Sequence, residues 1–334
     1  MSNQIDFSII CPCFNGGGFI NTFFEHFNKI DLRSYVVELI IVNDGSTDDS
    51  LEQLNNKYFD NSNIIYKVIN QSNKGTFLAR WAGFKQSTGR YILFLDIDDC
   101  FEPNIFFELE NAQYFNFDVT QFRFRKISSD NISISNLNQC RPNDYQNDNT
   151  LFPCDDGKYY LFDKCYSRDL FPSNILEDKF MKSTNFEDGA LNAVILSEAR
   201  TKLNLDKVLY NYILHSNSMC MKGHKNYINL INDYHLLWAM TFYKEDTFAF
   251  WFLCRSWYTL LLQKVFWHSK SSEKIFAIRN ALRNYRQDAI NKIKEYKILQ
   301  INKSIRIKKE KILFWLFINK FYFLVIILSK IVNN

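Results

Sequence analysis

Within the first 126 residues, short apolar runs rich in β-branched side chains alternate with stretches of helical periodicity. The apolar runs cover residues 5–11, 36–42, 64–69, 91–95 and 119–124. Helical patterns lie between them at 19–30 and 74–87 and from Glu102-Pro103 onward, and Ser46/Thr47 followed by Asp49 reads as a further helix start. Strands separated in this way need crossover connections, so the order predicts βαβ units, a mostly parallel sheet and right-handed crossovers. The expected fold class is α/β.

Three polar clusters end successive predicted strands: Asn15-Gly16-Gly17-Gly18, Asp44-Gly45-Ser46 and Asp96-Ile97-Asp98-Asp99. In an open parallel sheet those ends line one edge, and ligands bind in the crevice there. Alternation along an extended chain puts Asp96 and Asp98 on one side. Two carboxylates converging on a point repel unless a cation neutralises them. A hard divalent ion, Mg²⁺ or Mn²⁺, held by one or two carboxylates plus substrate phosphates, accounts for the pattern. The competing reading is an acidic turn capping the helix after Pro103, which needs one carboxylate and not three.

The other clusters are less specific. Asp44-Gly45-Ser46 fits either a strand–turn–helix junction or an acceptor for a nucleobase or ribose. The glycine run lacks the third glycine of a dinucleotide fingerprint, with Asn21 in its place, and Lys74-Gly75-Thr76 lacks the order of a P-loop. The run permits close approach of backbone to a ligand. Asn185-Phe186-Glu187-Asp188-Gly189 precedes an apolar helix, where acids serve either as caps or as a general base.

Composition narrows the class. Ten glycines and five prolines stand against an aromatic share of 17%, which excludes collagen-like, linker and disordered chains. Seven of the ten glycines fall in the first 89 residues, beside the polar clusters. Eight cysteines without a CxxC pair read as reduced and intracellular, with Cys11 and Cys13 as core filler. The five histidines show no zinc-ligand spacing, and no signal peptide is visible. Residues 128–150 read as a long polar surface loop, and 207–214 as a strand. From about 227 to 298 the pattern is helical, with aromatics at core spacing.

Charge is uneven. The formal net charge is +4, but residues 279–320 carry twelve basic and three acidic side chains, leaving −5 for the rest. Residues 311–332 hold two apolar blocks broken by Asn319-Lys320. Basic flanks and mixed Trp, Phe and Lys favour an interfacial membrane helix over a full span or a buried docking helix, and over binding of nucleic acid.

Taken together, FSIICPCFN, LIIVNDGSTDDS, NKGTFLARWAGFKQSTGRYILFLDIDD and NFEDGALN resemble the family 2 glycosyltransferases of the GT-A fold, in the order and spacing of bacterial enzymes that build lipooligosaccharide and capsule. The resemblance is specific over residues 5–105, looser over 161–219, and fades after about 225. It implies a GT-A domain over 1–225, with a nucleotide-sugar half (1–126) and an acceptor half (127–225). A helical region (226–300) and a basic, apolar tail (301–334) follow. By the same resemblance, Pro12 and Asn15 lie along the nucleotide, Asp44 on the base, and Arg80 near the base or diphosphate. Asp96 contacts ribose or sugar and, with Asp98, the metal; Asp188 is the catalytic base, with Glu187 beside it.

His215 stands where relatives often carry a basic residue that reaches the diphosphate; a structural histidine is the other reading. The Gln-Thr pair that often precedes the second strand is absent, and Trp81 replaces a common Asn. The expected activity is inverting transfer from a nucleotide-sugar, of UDP type, to a saccharide or lipid-linked glycan, with Mn²⁺ or Mg²⁺ as cofactor. The expected location is the cytoplasm, peripheral on the inner face of the cytoplasmic membrane. A polyprenol-phosphate sugar synthase and a non-catalytic nucleotide-sugar-binding protein are the alternatives.

Overall fold

A computed structural model describes residues 5–128, 132–134, 160–171, 188, 191, 192, 195 and 199–215. All of these fall in the first of two units into which the chain divides, Met1–Lys222 and Gly223–Asn334. The helical region, the basic segment and the apolar tail anticipated after residue 225 lie outside the described residues, as does Glu187.

The elements, in chain order, are β1 (Phe7–Cys13), α1 (Gly17–Phe27), β2 (Val37–Asp44), α2 (Ser50–Asn55), β3 (Ile64–Gln71) and α3 (Thr76–Gln86), then β4 (Tyr91–Phe94), β5 (Cys100–Phe101), α4 (Ile105–Asn111) and β6 (Val119–Ile127). Three further strands follow: β7 (Ile132–Ile134), β8 (Lys164–Ser167) and β9 (Lys202–Ile213). Among the described residues they form one sheet in the order β3-β2-β1-β4-β8-β6-β9-β5, with β7 on β6. The quartet β3-β2-β1-β4 is parallel throughout. β8 runs antiparallel to both β4 and β6, while β6 and β9 pair in parallel through a bulge near Arg123. This is the α/β sheet expected from the alternation, extended by strands from the later part of the chain.

The central strands form because their runs are largely apolar on both faces: every residue of β2 is buried. α1 buries Ile20, Phe23, Phe24 and Phe27, the 3–4 spacing of one helix face. α3 lies so close to the sheet that a Cβ on Gly83 would come within 2.5 Å of the Ile10 Cγ2 methyl. The aromatic share packs the core: Phe7 meets Tyr35, Tyr91, Phe106 and Tyr114 with ring centres 4.7–5.7 Å apart. Cys11 and Cys13 are buried, and burial raises both thiols, Cys13 to about 11, so neither is a ready nucleophile or ligand.

Several expectations need correction. α2 starts at Ser50, with Asp49 before it; Ser46 and Thr47 do not cap it but bond to Asn15. The polar stretch after residue 127 is not loop throughout, because Ile132–Ile134 adds a strand to β6. The strand anticipated at 207–214 begins earlier, at Lys202.

At the opposite end of the sheet from the polar clusters, Glu38 is fully buried. It accepts hydrogen bonds from Ser8 Oγ (2.6 Å), Thr88 N–H (2.9 Å) and Lys67 Nζ. Burial alone pushes its carboxyl up, but the bonds from Lys67, Ser8 and Thr88 outweigh that and hold it below the usual range. A depressed folded-state value means the native protein binds fewer protons than the unfolded chain. The stability it confers is present above the ordinary carboxylate value and is lost as pH falls through the folded value. Glu38→Gln is expected to lower unfolding free energy at pH 7 by about 2 kcal/mol. In urea melts the gap between wild type and variant should shrink as pH drops below about 4.

Candidate active site

The C-terminal ends of β1, β2 and β4 lie at one edge because the three strands are parallel and in register, with Cys13 beside Asn43 and Ile10 beside Phe94. The polar clusters therefore meet. Asn15, at φ 51°, turns the chain out of β1. Its side-chain oxygen accepts from Thr47 N–H at 2.8 Å, and its own N–H donates to Ser46 Oγ at 2.9 Å. A Cβ at Gly17 would sit 2.3 Å from Asp49 Oδ1, so a larger residue there would displace the Asp49 side chain. Pro12, one residue inside the end of β1, is partly exposed at the same edge.

Asp44 ends β2 with its side chain buried against the loop before α3. Its Oδ1 accepts from Gln71 Nε2 (2.7 Å) and Lys74 N–H (2.9 Å), and its Oδ2 accepts from Gly75 N–H (2.8 Å). Gly75 has φ +94°, so the loop turns back onto the carboxylate in a conformation that favours glycine.

The acidic cluster is organised differently from the sequence expectation. Alternation does not apply to Asp96 and Asp98, because β4 stops at Phe94 and the chain turns, Asp99 N–H donating to the Asp96 carbonyl at 3.1 Å. The three carboxylates go to three partners. Asp96 Oδ1 accepts from Arg80 Nη2 at 2.7 Å. Asp98 Oδ2 lies 2.7 Å from His215 Nε2. Asp99 is buried, accepting from Tyr210 hydroxyl (2.6 Å) and Ile213 N–H (2.7 Å), so β9 clasps the turn from its far side. Burial raises Asp98, the Asp96 charge adds to this, and His215 opposes it. Asp99 is raised well above its usual value by burial and by its two neighbours.

Arg80 is the centre of the site. It sits on the buried face of α3, 4% exposed, and its other amino group, Nη1, donates to Asp188. One guanidinium thus joins the acidic turn to the carboxylate anticipated as the base. A buried guanidinium needs such partners, since it stays charged and cannot neutralise itself. Asp188 keeps a quarter of its side-chain surface open. Burial pushes its carboxyl up, Asp96 adds to this, and Arg80 and Lys164 work against it.

Of the anticipated residues, Arg80, Asp96 and Asp188 are in direct contact, and Asp98 pairs with His215. Asn15 and Asp44 bond to the loops beside them. Sequence reasoning missed Tyr210, whose hydroxyl holds Asp99; a tyrosine in an apolar strand facing a buried acid leaves no local signal. Among the described residues no group of three or more His, Cys, Asp or Glu side chains forms a metal cage. Asp98, partly open and not held by Arg80, still fits Mg²⁺ or Mn²⁺, which take one or two carboxylates and complete their shell with phosphate and water.

The chain is similar to several known proteins. Residues 8–169 match the model of glycosyl transferase family 2. The uncharacterized glycosyltransferase YibD of Escherichia coli K12 is 34% identical over 106 residues, 32% of this chain and 30% of that protein. The uncharacterized glycosyltransferase EpsJ of Bacillus subtilis 168 is 30% identical over 222 residues, 64% of this chain and 62% of that protein. The chain thus spans less than two thirds of either relative. A crystal structure of Staphylococcus aureus TarS 1–349 in complex with UDP-GlcNAc superposes with a TM-score of 0.64 at 18% identity, covering 85% of this chain and 81% of that one. The acidic turn lies within residues 8–169, the stretch that matches glycosyl transferase family 2, and the chain has the GT-A fold.

Proposed function

We propose that the protein is an inverting glycosyltransferase that moves a sugar from a nucleotide-sugar, of UDP type, to a hydroxyl of a glycan or lipid-linked saccharide, in synthesis of surface polysaccharide of the lipooligosaccharide or capsule type. The observation that carries this reading is the single guanidinium that binds both Asp96 and Asp188. It sets a partly open, raised carboxylate beside the turn that would receive the donor diphosphate.

Asp188 takes the proton from the acceptor hydroxyl as that oxygen forms a bond to the anomeric carbon. The bond from that carbon to the diphosphate oxygen breaks, and the diphosphate leaves with the electron pair. Asp98 would hold Mg²⁺ or Mn²⁺, which supplies charge compensation for the departing diphosphate when bound. Arg80 keeps the base aimed and, through Asp96, ties it to the strand that ends in the acidic turn. Pro12 and Asn15 line the crevice where the nucleotide would lie, with Asp44 at its base-binding end. UDP-type donors are favoured by the similarity to TarS, solved with UDP-GlcNAc.

Residues 301–334 would hold the enzyme peripherally on the inner face of the cytoplasmic membrane, near a lipid-linked acceptor; their composition alone supports this. The test is a screen of nucleotide-sugars for acceptor-dependent nucleotide release, with Mn²⁺, with Mg²⁺ and with chelator. Release from a UDP-sugar that needs both acceptor and divalent ion is expected. No release from any donor, with UDP still binding, would instead indicate a non-catalytic nucleotide-sugar-binding protein.

A further inference from the structure

A reacting carboxylate is useful only if its helix is held still. Arg80 grips the Asp188 side chain from the α3 side. A second grip lies one turn along. Asp188 and Asn192 are both helical and four residues apart, the spacing that puts two side chains on one face. Asn192 is fully buried. Its Oδ1 accepts from the Tyr166 hydroxyl at 2.6 Å, and its Nδ2 donates to the Tyr160 carbonyl at 2.8 Å. That carbonyl also receives Lys164 Nζ at 2.7 Å. Tyr166 and Lys164 belong to β8, and Tyr166 pairs with Ile92 of β4, the strand that leads into Asp96.

These contacts close a ring: β4, Tyr166, Asn192, the helix, Asp188, Arg80, and back through Asp96 to the end of β4. A buried amide is costly where an apolar side chain would pack freely, unless both of its ends are bonded, and then it accepts only one placement of the helix. Leu191 and Ile195, also helical and buried, supply burial without such direction.

We propose that Asn192 is a positioning residue for the transfer reaction, fixing through Tyr166 and the Tyr160 carbonyl the distance between the Asp188 carboxylate and the acidic turn. It touches neither donor nor acceptor. The inference rests on Asp188 being the base, and its test separates the two.

Asn192→Ala and the milder Tyr166→Phe, which deletes one hydroxyl and keeps the ring, are compared with wild type. Hydrogen exchange of the 188–195 segment reports the anchor whether or not the enzyme turns over. Protection there should fall at least tenfold in Asn192→Ala and less in Tyr166→Phe, with β1–β4 unchanged. With turnover, kcat should fall about 10- to 100-fold in Asn192→Ala and about 3- to 10-fold in Tyr166→Phe, while donor KM and the UDP dissociation constant stay within about threefold. Unchanged exchange in 188–195, or a loss of UDP affinity equal to the loss of rate, overturns the proposal. If wild type transfers no sugar, the functional reading fails, and exchange alone still decides whether Asn192 anchors the segment.

Discussion

Asp188→Asn is expected to cut sugar transfer by about 10³-fold while leaving the UDP dissociation constant within about threefold. The amide keeps the size of the carboxylate but cannot take a proton from the acceptor. Arg80 keeps Asp96 as a charged partner, so its buried guanidinium is not stranded and the fold should survive. The direction of the Asp188 shift adds a second readout. Only the ionised carboxylate works as a base, and burial together with Asp96 raises its pKa. Activity should therefore fall on the acid side of the profile with a midpoint above the ordinary carboxylate value of about 4. The variant should lose that limb along with its activity. Rates from acceptor-dependent nucleotide release and affinity from calorimetry check both points. A variant as fast as wild type would assign the base to another group.

Asp98→Ala is expected to remove divalent-ion stimulation and to reduce transfer by about 10²- to 10³-fold. Of the three carboxylates in the turn, Asp99 is buried between Tyr210 and Ile213, and Asp96 is held by Arg80. Asp98 is the one whose partner is a histidine two residues beyond the end of β9, at 2.7 Å, a contact that can open toward a cation. The check is a titration of rate against Mn²⁺ concentration in wild type and variant. Wild type should saturate, and the variant should stay flat near background. Turnover that needs no metal and survives Asp98→Ala would contradict this role.

The parallel quartet was legible because each strand is a largely apolar run closed by turn residues, broken only by single polar residues such as Ser8, Glu38 and Lys67. The edge bearing the polar clusters followed from parallel order alone. What was hidden depends on contacts far apart in sequence. Arg80 reaches Asp96 16 residues away and Asp188 108 residues away, and no periodicity encodes that pairing. A local hint does exist: Arg80 interrupts the apolar set Phe77, Leu78, Ala79 and Trp81, and a guanidinium among such neighbours requires a buried acid.

The arrangement of Asp96 and Asp98 was misread because alternation holds only while a strand continues, and β4 ends two residues before Asp96. β8 was missed as a strand because its four residues, two of them Lys164 and Ser167, carry no alternation. Asn192 closes the segment NFEDGALN, but its partners Tyr166 and Tyr160 lie 26 and 32 residues away and no local pattern names them.

The measurement that bears most directly on the mechanism is the anomeric configuration of the product from that nucleotide-sugar screen, read from its proton coupling constant by NMR. Direct displacement with Asp188 as the base should invert the donor, so that an α-linked UDP-sugar yields a β-glycoside. A product that retains the donor configuration would contradict it.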